Sequence, residues 1–181
     1  MNQPISMLSF AICLACLIGF GSPIEASADV VASAPDGFSL QQAVATKLDP
    51  DLAFKKMVSE FGEWWDASHS YSGEGKNLRI DVEQGCILET LPNGGFVRHL
   101  ELCYYDPGKA IRFSGGLGPL QEMGVSGALT FKFTKEDDST KIELLYHVHG
   151  HSKQQLDQLA PVVDRVLADQ LARLQKHCDG E

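Results

Sequence analysis

The sequence is poor in cysteine, in clustered positive charge and in long hydrophobic runs. Five cysteines in 181 residues are too few for a disulfide-dense scaffold. Lysine and arginine form no basic runs and the formal net charge is −9, so we expect no surface that tracks the phosphates of a nucleic acid. What is present, 44% apolar and 22% charged residues, is typical of an ordinary globular chain.

One long apolar run lies near the N-terminus, in residues 7–20, and it carries no charge. Its length suits the hydrophobic region of a signal peptide and is short for a membrane span. Ala26-Ser27-Ala28 has the small-x-small pattern of a cleavage site, which predicts removal of residues 1–28 and export, to the periplasm or by secretion. We expect no stable membrane span after cleavage. Because no Lys or Arg precedes the run, an uncleaved anchor is the alternative.

The remaining chain is long enough for one domain with a real core. We interpret 29–36 as a tether, 37–177 as a single domain and 178–181 as a tail. Cys86 and Cys103 would lie opposite each other in one register of a hairpin, but a two-residue Asn93-Gly94 turn predicts a different register. Free thiols are therefore the favoured interpretation and a bridge is the alternative.

The first half of this domain combines a strand with a broken helix. Residues 38–46 alternate as a strand does, and Asp49-Pro50 is a helix start signal, with Asp as the cap and Pro in the first turn. Apolar residues then recur at intervals of three and four up to Trp65, while Gly62 is expected to divide the helix into two short pieces.

The second half alternates with a period of two and ends in a long helical stripe. Residues 78–88 alternate with a phase change at Gly85, and strands are predicted at 96–105, 110–114, 129–133 and 142–148. Leucine and valine residues from 156 to 174 recur on one helical face, and Pro161 is expected to kink this helix or start its main part. We predict an α+β fold: a curved antiparallel sheet of about six strands that grips a long C-terminal helix, with two short helices after strand 1.

This order of elements resembles the START/pollen-allergen helix-grip superfamily, also called SRPBCC or polyketide cyclase/dehydrase-like. Three local strings, Phe61-Gly62-Glu63-Trp64-Trp65-Asp66, Ser70-Tyr71-Ser72-Gly73 and the run from Gly115 to Gln121, resemble a bacterial branch of it. The resemblance implies an apolar cavity between the sheet and the long helix, which this superfamily uses for lipids, sterols, polyketides or aromatic metabolites. It implies no cofactor and transfers no catalytic residue.

A small hydrophobic molecule is therefore the expected partner, in a cavity lined by inward-facing side chains. A protein partner is not predicted beyond an alternative role as an interaction module. The candidate lining residues are Trp65, Arg98, Leu100, Leu102, Tyr104, Leu117, Leu129, Phe131, Phe133, Leu144, Tyr146, Val163 and Leu167.

Strand 96–105 supplies the polar candidates. Strict alternation would place Arg98 and Tyr104 on the cavity face with Leu100, where they could bind a carboxylate or phenolate. His99 and Glu101 would then lie on the opposite face. With Arg98, Tyr104 and Tyr146 as its polar set, a cofactor-free cyclase, isomerase or hydratase is the alternative function; packing and a rim arginine are the simpler interpretation.

Two further motifs are weaker. His147, His149 and His151 share one strand face and could hold a metal, but they alternate with apolar residues and are expected to face solvent, so no metal site is predicted. The glycine-rich segment 115–118 lacks the Lys-Ser/Thr of a P-loop, and no helix is expected after it.

Overall fold

The computed structural model describes residues 27–180. Within this range one antiparallel sheet of eight strands accompanies a long C-terminal helix, so the predicted α+β fold is confirmed. The strands are β1 (Ser27–Ala34), β2 (Gly37–Thr46), β3 (Leu78–Asp81), β4 (Cys86–Thr90), β5 (Phe96–Asp106), β6 (Ala110–Ser114), β7 (Ser126–Glu136) and β8 (Ser139–His149). Their order across the sheet is β1-β2-β8-β7-β6-β5-β4-β3.

Two strands exceed the predicted six. Residues 29–36 are mostly strand rather than tether, because β1 pairs with β2 along its length. Residues 82–85 form a turn, with Gly85 at a φ of 65°, so the predicted phase change is a hairpin between β3 and β4. The apolar run at 7–20 lies outside the described residues, and cleavage after Ala28, which would remove the first two residues of β1, stays a prediction.

Within residues 27–180 there are four α-helices, α1 (Pro50–Ser59), α2 (Phe61–Trp64), α3 (Pro119–Glu122) and α4 (Leu156–Asp179), and two short 3-10 helices, Ala67–His69 and Gly75–Asn77. The predicted start of α1 is confirmed, since the Asp49 carboxylate accepts a hydrogen bond from the Leu52 N–H at 3.0 Å and Pro50 is in the first turn. The helix breaks at Glu60, and Gly62 lies inside α2. A Cβ on Gly62 would collide with the Gly75 carbonyl, so this close approach requires glycine.

One expectation about helices was wrong, and one of the two alternatives for Pro161 is excluded. The one-turn helix α3 does follow the glycine-rich segment, because Pro119 is well suited to the first position of a helix. Pro161 does not start α4, since the helix begins at Leu156 and the proline lies in its second turn. No helix within 27–180 is long and apolar enough to cross a membrane.

The core lies between the sheet and the helices. One face of β2, β6, β7 and β8 is buried, and α4 contributes the stripe Leu167, Leu171 and Leu174, which is fully or almost fully buried. Because α4 packs mainly on β1 and β2, the β3–β5 side of the sheet is left to be covered by other elements. The candidate site lies on that side.

Candidate functional site

A cavity of about 580 Å³ lies between the first half of α4, the segment 61–71 and the β3–β5 side of the sheet. Tyr71 and Val162, both in its wall, are 51% and 52% exposed, so the cavity is open to solvent. Its apolar lining consists of Phe61, Trp65, Leu78, Ile87, Leu117, Pro119, Leu120, Leu159, Val162, Val163, Val166 and Leu167.

Four of the predicted lining residues contact this cavity: Trp65, Leu117, Val163 and Leu167. Most of the others are core residues that pack against one another. Leu102 is half-buried and packs on that core. The buried core residues of the predicted set are Leu100, Leu129, Phe131, Phe133, Leu144 and Tyr146. The cavity is thus displaced from the centre of the sheet toward β3–β5.

Tyr146 braces the glycine-rich segment rather than lining the cavity. Its hydroxyl donates to the Gly115 carbonyl at 3.2 Å and accepts from the Leu117 N–H at 3.0 Å. Burial raises the pKa of Tyr146 to about 12, and the hydrogen bond from Leu117 offsets only part of this. At neutral pH the phenol stays protonated, and its role is to hold Leu117 at the cavity wall.

Arg98 and Tyr104 do not line the cavity. The Arg98 guanidinium lies 3.4 Å from the Glu101 carboxylate, on a part of β5 that is open to solvent. Tyr104 is exposed, with Arg112 over its ring at 5.6 Å and its hydroxyl 3.4 Å from Asp106. The polar set predicted from strict alternation is therefore not assembled in the cavity.

Two β-bulges in β5 explain this difference. Leu88 pairs with Arg98 and Ile87 with Leu100, which leaves His99 as an extra residue in β5. A second register shift near the other end of β5 leaves Cys103 as an extra residue in the pairing with β6. Each bulge reverses which alternate residues face inward, so Arg98 and Tyr104 turn outward. The first bulge also turns His99 inward.

His99 lines the cavity and is paired with a buried carboxylate. Its Nε2 lies 2.8 Å from Glu89 Oε2, and the two side chains are 6% and 0% exposed. Sequence reasoning placed His99 on the outer face and did not single out Glu89. The break in alternation shows in the structure, where His99 and Leu100 are buried consecutively, and the sequence of β5 alone does not mark it.

Glu89 also holds the loop at the cavity mouth. One oxygen accepts from the Tyr71 N–H at 3.1 Å, and the other accepts from the Ser72 N–H. Burial raises the pKa of Glu89, but hydrogen bonds from Ser72, Tyr71 and His99 outweigh it and leave the pKa below its ordinary 4.5. Glu89 is thus an ionised acceptor that joins β4, β5 and the segment 70–73.

The other polar side chains at the cavity are more exposed than His99. Tyr71 lies with its ring centroid 5.8 Å from that of His99, at an angle of 40°. The Trp65 indole donates to the His69 carbonyl at 3.3 Å, which ties the loop to α2. The remaining polar residues at the wall are Ser68, His69, Ser70 and Glu122, and the side chain of His69 is exposed.

The histidines at and after the end of β8 face solvent, as predicted; His147 and His149 belong to β8 and His151 follows it. His147, His149 and His151 are all exposed, and His147 Nδ1 lies 2.9 Å from Ser39 Oγ. In the described part of the chain, the group that could gather three metal ligands is Glu60, Glu63 and His177. There His177 is already bonded to Glu60 at 2.6 Å, and the Lys56 ammonium lies 3.7 Å from the same carboxylate. This arrangement serves as an ion-pair network between α1 and α4.

The cysteines of the described range are free thiols. Cys86 and Cys178 are buried and Cys103 is exposed. Cys86 pairs across the hairpin with Glu101, not with Cys103, so the register that would bring the two cysteines together does not occur. The turn has Leu91 bonded to Gly95 and is one residue longer than the two-residue turn expected at Asn93-Gly94.

Comparisons with solved structures support the fold. A protein from Arthrobacter aurescens, 12% identical, aligns with a TM-score of 0.58 over 87% of this chain and 92% of its own. Ara h 8.0201, 11% identical, aligns with a TM-score of 0.53 over 80% of this chain and 99% of its own. Protein MLL2253 from Mesorhizobium loti, 14% identical, aligns with a TM-score of 0.54 over 77% and 97%.

These likenesses define the class of protein by its fold: a helix-grip domain, in which a curved sheet faces one long helix. At such low identities they show the fold alone. No family model and no curated protein matches the sequence. What the domain does must therefore be argued from the cavity itself.

Proposed function

We propose that this protein binds or carries a small hydrophobic molecule in the cavity beneath the first half of α4. The observation that carries the proposal is a cavity of about 580 Å³ with a mostly aliphatic and aromatic wall. Pockets for small molecules fall in the range of roughly 300–1,000 Å³ and have this composition. A lipid, a sterol, a polyketide or an aromatic metabolite fits this chemistry.

The apolar wall of the cavity supports the same conclusion. Apolar surface that faces water is unfavourable in proportion to its area, so a hydrophobic ligand that covers this wall is stabilised. Apolar walls also hold water poorly. A ligand in the cavity would make dispersion contacts with Val163, Val166 and Leu167, and it can enter because part of the wall is open to solvent.

We place the domain in the START/SRPBCC superfamily on the strength of the helix-grip fold and the local strings that resemble it. Export after cleavage at Ala28 is part of the proposal. Carrying a ligand requires neither a cofactor nor an energy source, so this role is compatible with a place outside the cytoplasm. Mass spectrometry of the protein purified from its own host tests this point, with Asp29 expected as the first residue.

A cavity-filling variant tests the binding proposal. Val166→Phe adds bulk at the cavity wall, whereas Val82→Phe makes the same change in the exposed β3–β4 turn and serves as the matched control. Anilinonaphthalene sulfonate should bind the wild type and Val82→Phe with similar affinity. Binding to Val166→Phe should fall at least tenfold.

Native mass spectrometry with organic extraction then identifies any molecule that co-purifies. Wild-type protein that neither carries a ligand nor binds a hydrophobic probe would contradict the proposal. So would equal binding to both phenylalanine variants.

The second candidate function is that of a cofactor-free cyclase, isomerase or hydratase. The observation in its favour is the Glu89–His99 pair at the cavity wall, because a carboxylate-oriented imidazole can accept a proton. The polar set Arg98 and Tyr104 gives it no support, since both side chains lie outside the cavity. Incubating the extracted ligand with wild type and with His99→Gln distinguishes the two functions: a carrier leaves both the mass and the proton NMR spectrum of the ligand unchanged, whereas an isomerase or cyclase changes the NMR spectrum even where the mass stays the same.

A further inference from the structure

The cavity wall contains one buried polar side chain, His99, among the polar residues that line it. It is held from behind by Glu89, which is itself fixed by two backbone N–H groups of the mouth loop. A buried polar group in an apolar wall costs free energy unless each of its hydrogen-bonding atoms has a partner. Its chemistry therefore carries information about the ligand.

We propose that His99 presents Nδ1 to the cavity as a hydrogen-bond acceptor and that the ligand is an apolar molecule with one hydroxyl group, either phenolic, enolic or alcoholic, directed at this nitrogen. The inference rests on the proposed function and names the class of molecule that the same cavity takes.

The direction of the hydrogen bond follows from Glu89. Its carboxylate already accepts from the Tyr71 and Ser72 N–H groups, and an ionised carboxylate can only accept. The ring nitrogen that faces it, Nε2, must therefore carry the proton. A neutral imidazole has one N–H, so Nδ1 keeps its lone pair.

The position of His99 leaves Nδ1 for the cavity. Within the described residues, the His99 side chain makes its hydrogen bond, to Glu89, through Nε2. In residues 27–180, the two fully buried side-chain atoms that lack a hydrogen-bond partner belong to Gln42 and Gln170. Because His99 Nδ1 has no partner within this range and is not one of these two atoms, it is not fully buried. Nδ1 is thus placed where a molecule in the cavity can reach it.

The remaining wall determines how such a ligand would lie. The hydroxyl end would meet β5 at His99, near the Tyr71 ring, and the apolar body would extend beneath Val163 and Val166 of α4. Recognition of one hydroxyl by a preset acceptor gives specificity that an all-apolar cavity lacks, because a ligand without the donor leaves the acceptor unpaired.

Three matched probes test the inference: α-naphthol, its methyl ether and α-naphthoate. Affinities are measured with the whole protein at neutral pH, by fluorescence or calorimetry. The wild type should bind the naphthol about tenfold more tightly than the methyl ether, since one hydrogen bond contributes about that factor. Tighter binding of the naphthoate than of the naphthol would overturn the inference, because it would mean that Nδ1 donates.

The variant for this test is the double change Glu89→Gln with His99→Phe. Phenylalanine preserves the ring shape, and the glutamine amide oxygen accepts from one of the two mouth-loop N–H groups, while the other N–H loses its acceptor. Circular dichroism and urea denaturation show that the variant is folded before its affinities are measured. The ratio of the two affinities should fall to about one, while the affinity for the methyl ether changes by less than about twofold. A ratio still near ten in this variant would overturn the inference.

A measurement on the wild type alone removes any dependence on how the variant folds. In long-range ¹⁵N NMR of the imidazole, the Nδ1 resonance of His99 should move on addition of the naphthol and hardly move on addition of its ether. Identical shifts with both probes would contradict the assignment. If neither probe binds, the proposed function fails; if both bind equally, only the inference about the hydroxyl fails.

Discussion

The two halves of α4 meet the rest of the molecule in different ways. The second half is packed and hydrogen-bonded along its length: Leu171 and Leu174 are buried, and Cys178 closes the same face. Polar side chains fix it at several points. These contacts join Gln170 to the Asp66 N–H, Arg173 to the Trp64 carbonyl, Gln175 to the Ala45 carbonyl, Lys56 to the His177 carbonyl and Asp179 to Thr46.

The first half of α4 is held on one side only. Leu156 and Ala160 are buried, the Leu156 N–H bonds to the Pro35 carbonyl, and Gln42 of β2 donates to Asp164. The other side faces the cavity through Val163 and Val166. The comparison shows that a helix fixed firmly at one end can leave space beneath the other, because its position does not depend on close packing there.

The largest effect on stability is expected from a substitution in the packed second half of α4. Leu171→Ala should lower the free energy of unfolding by about 3 kcal/mol, since it removes a fully buried side chain from a region that cannot collapse around the gap. Urea denaturation followed by circular dichroism measures the change. A loss below about 1 kcal/mol would show that the second half is not the firm end of α4.

Two histidine–glutamate pairs extend the comparison, since one lies at the cavity and the other binds the second half of α4. Glu89 with His99 lies in the cavity wall and is buried, whereas the side chains of Glu60 and His177 are 34% and 21% exposed. At neutral pH, Glu89→Gln should cost about 2 kcal/mol, because hydrogen bonds to a buried charge are lost. Glu60→Gln should cost less than about 1 kcal/mol, because solvent screens that pair. Denaturation of the two variants side by side measures both.

The same pairs predict the response to acid. The hydrogen bond from His177 is the main cause of the lowered pKa of Glu60, and the pKa of Glu89 is also lowered, both from 4.5. A carboxyl group with a lowered pKa in the folded state stabilises the protein above its unfolded pKa, and that contribution is lost as the pH falls through the folded value. Wild-type stability should therefore decline below about pH 4.5, and Glu89→Gln should decline less steeply. An identical acid profile for the variant would contradict the role assigned to Glu89.

Much of the fold could be predicted from the sequence because its signals are local. Asp49-Pro50 marks a helix start through its own hydrogen-bonding chemistry, and the leucine stripe of α4 shows in the spacing of the residues. Segment 29–36 was misinterpreted because it carries little pattern of its own; its strand conformation depends on pairing with β2.

The candidate site could be predicted only in part, since it depends on register. Val163 belongs to α4, whose inward face follows from periodicity, and Trp65 directly follows α2 as its C-terminal cap; both line the cavity. His99, Arg98 and Tyr104 belong to β5, where each bulge reverses the inward face. A bulge is set by the pairing of one strand with its neighbour, which no single stretch of sequence specifies.

The smallest effect on stability is expected from a substitution at the cavity wall. The same change, valine to alanine, made at a packed position serves as the comparison. Val44→Ala removes a fully buried side chain of β2 and should cost about 2 kcal/mol. Val163→Ala removes the same atoms from a half-buried position beside existing empty space, so it should cost about 0.5 kcal/mol. Urea denaturation of the ligand-free protein measures both. If Val163→Ala proved as costly as Val44→Ala, the wall would be packed in solution, and the contrast between the two halves of α4 would not hold.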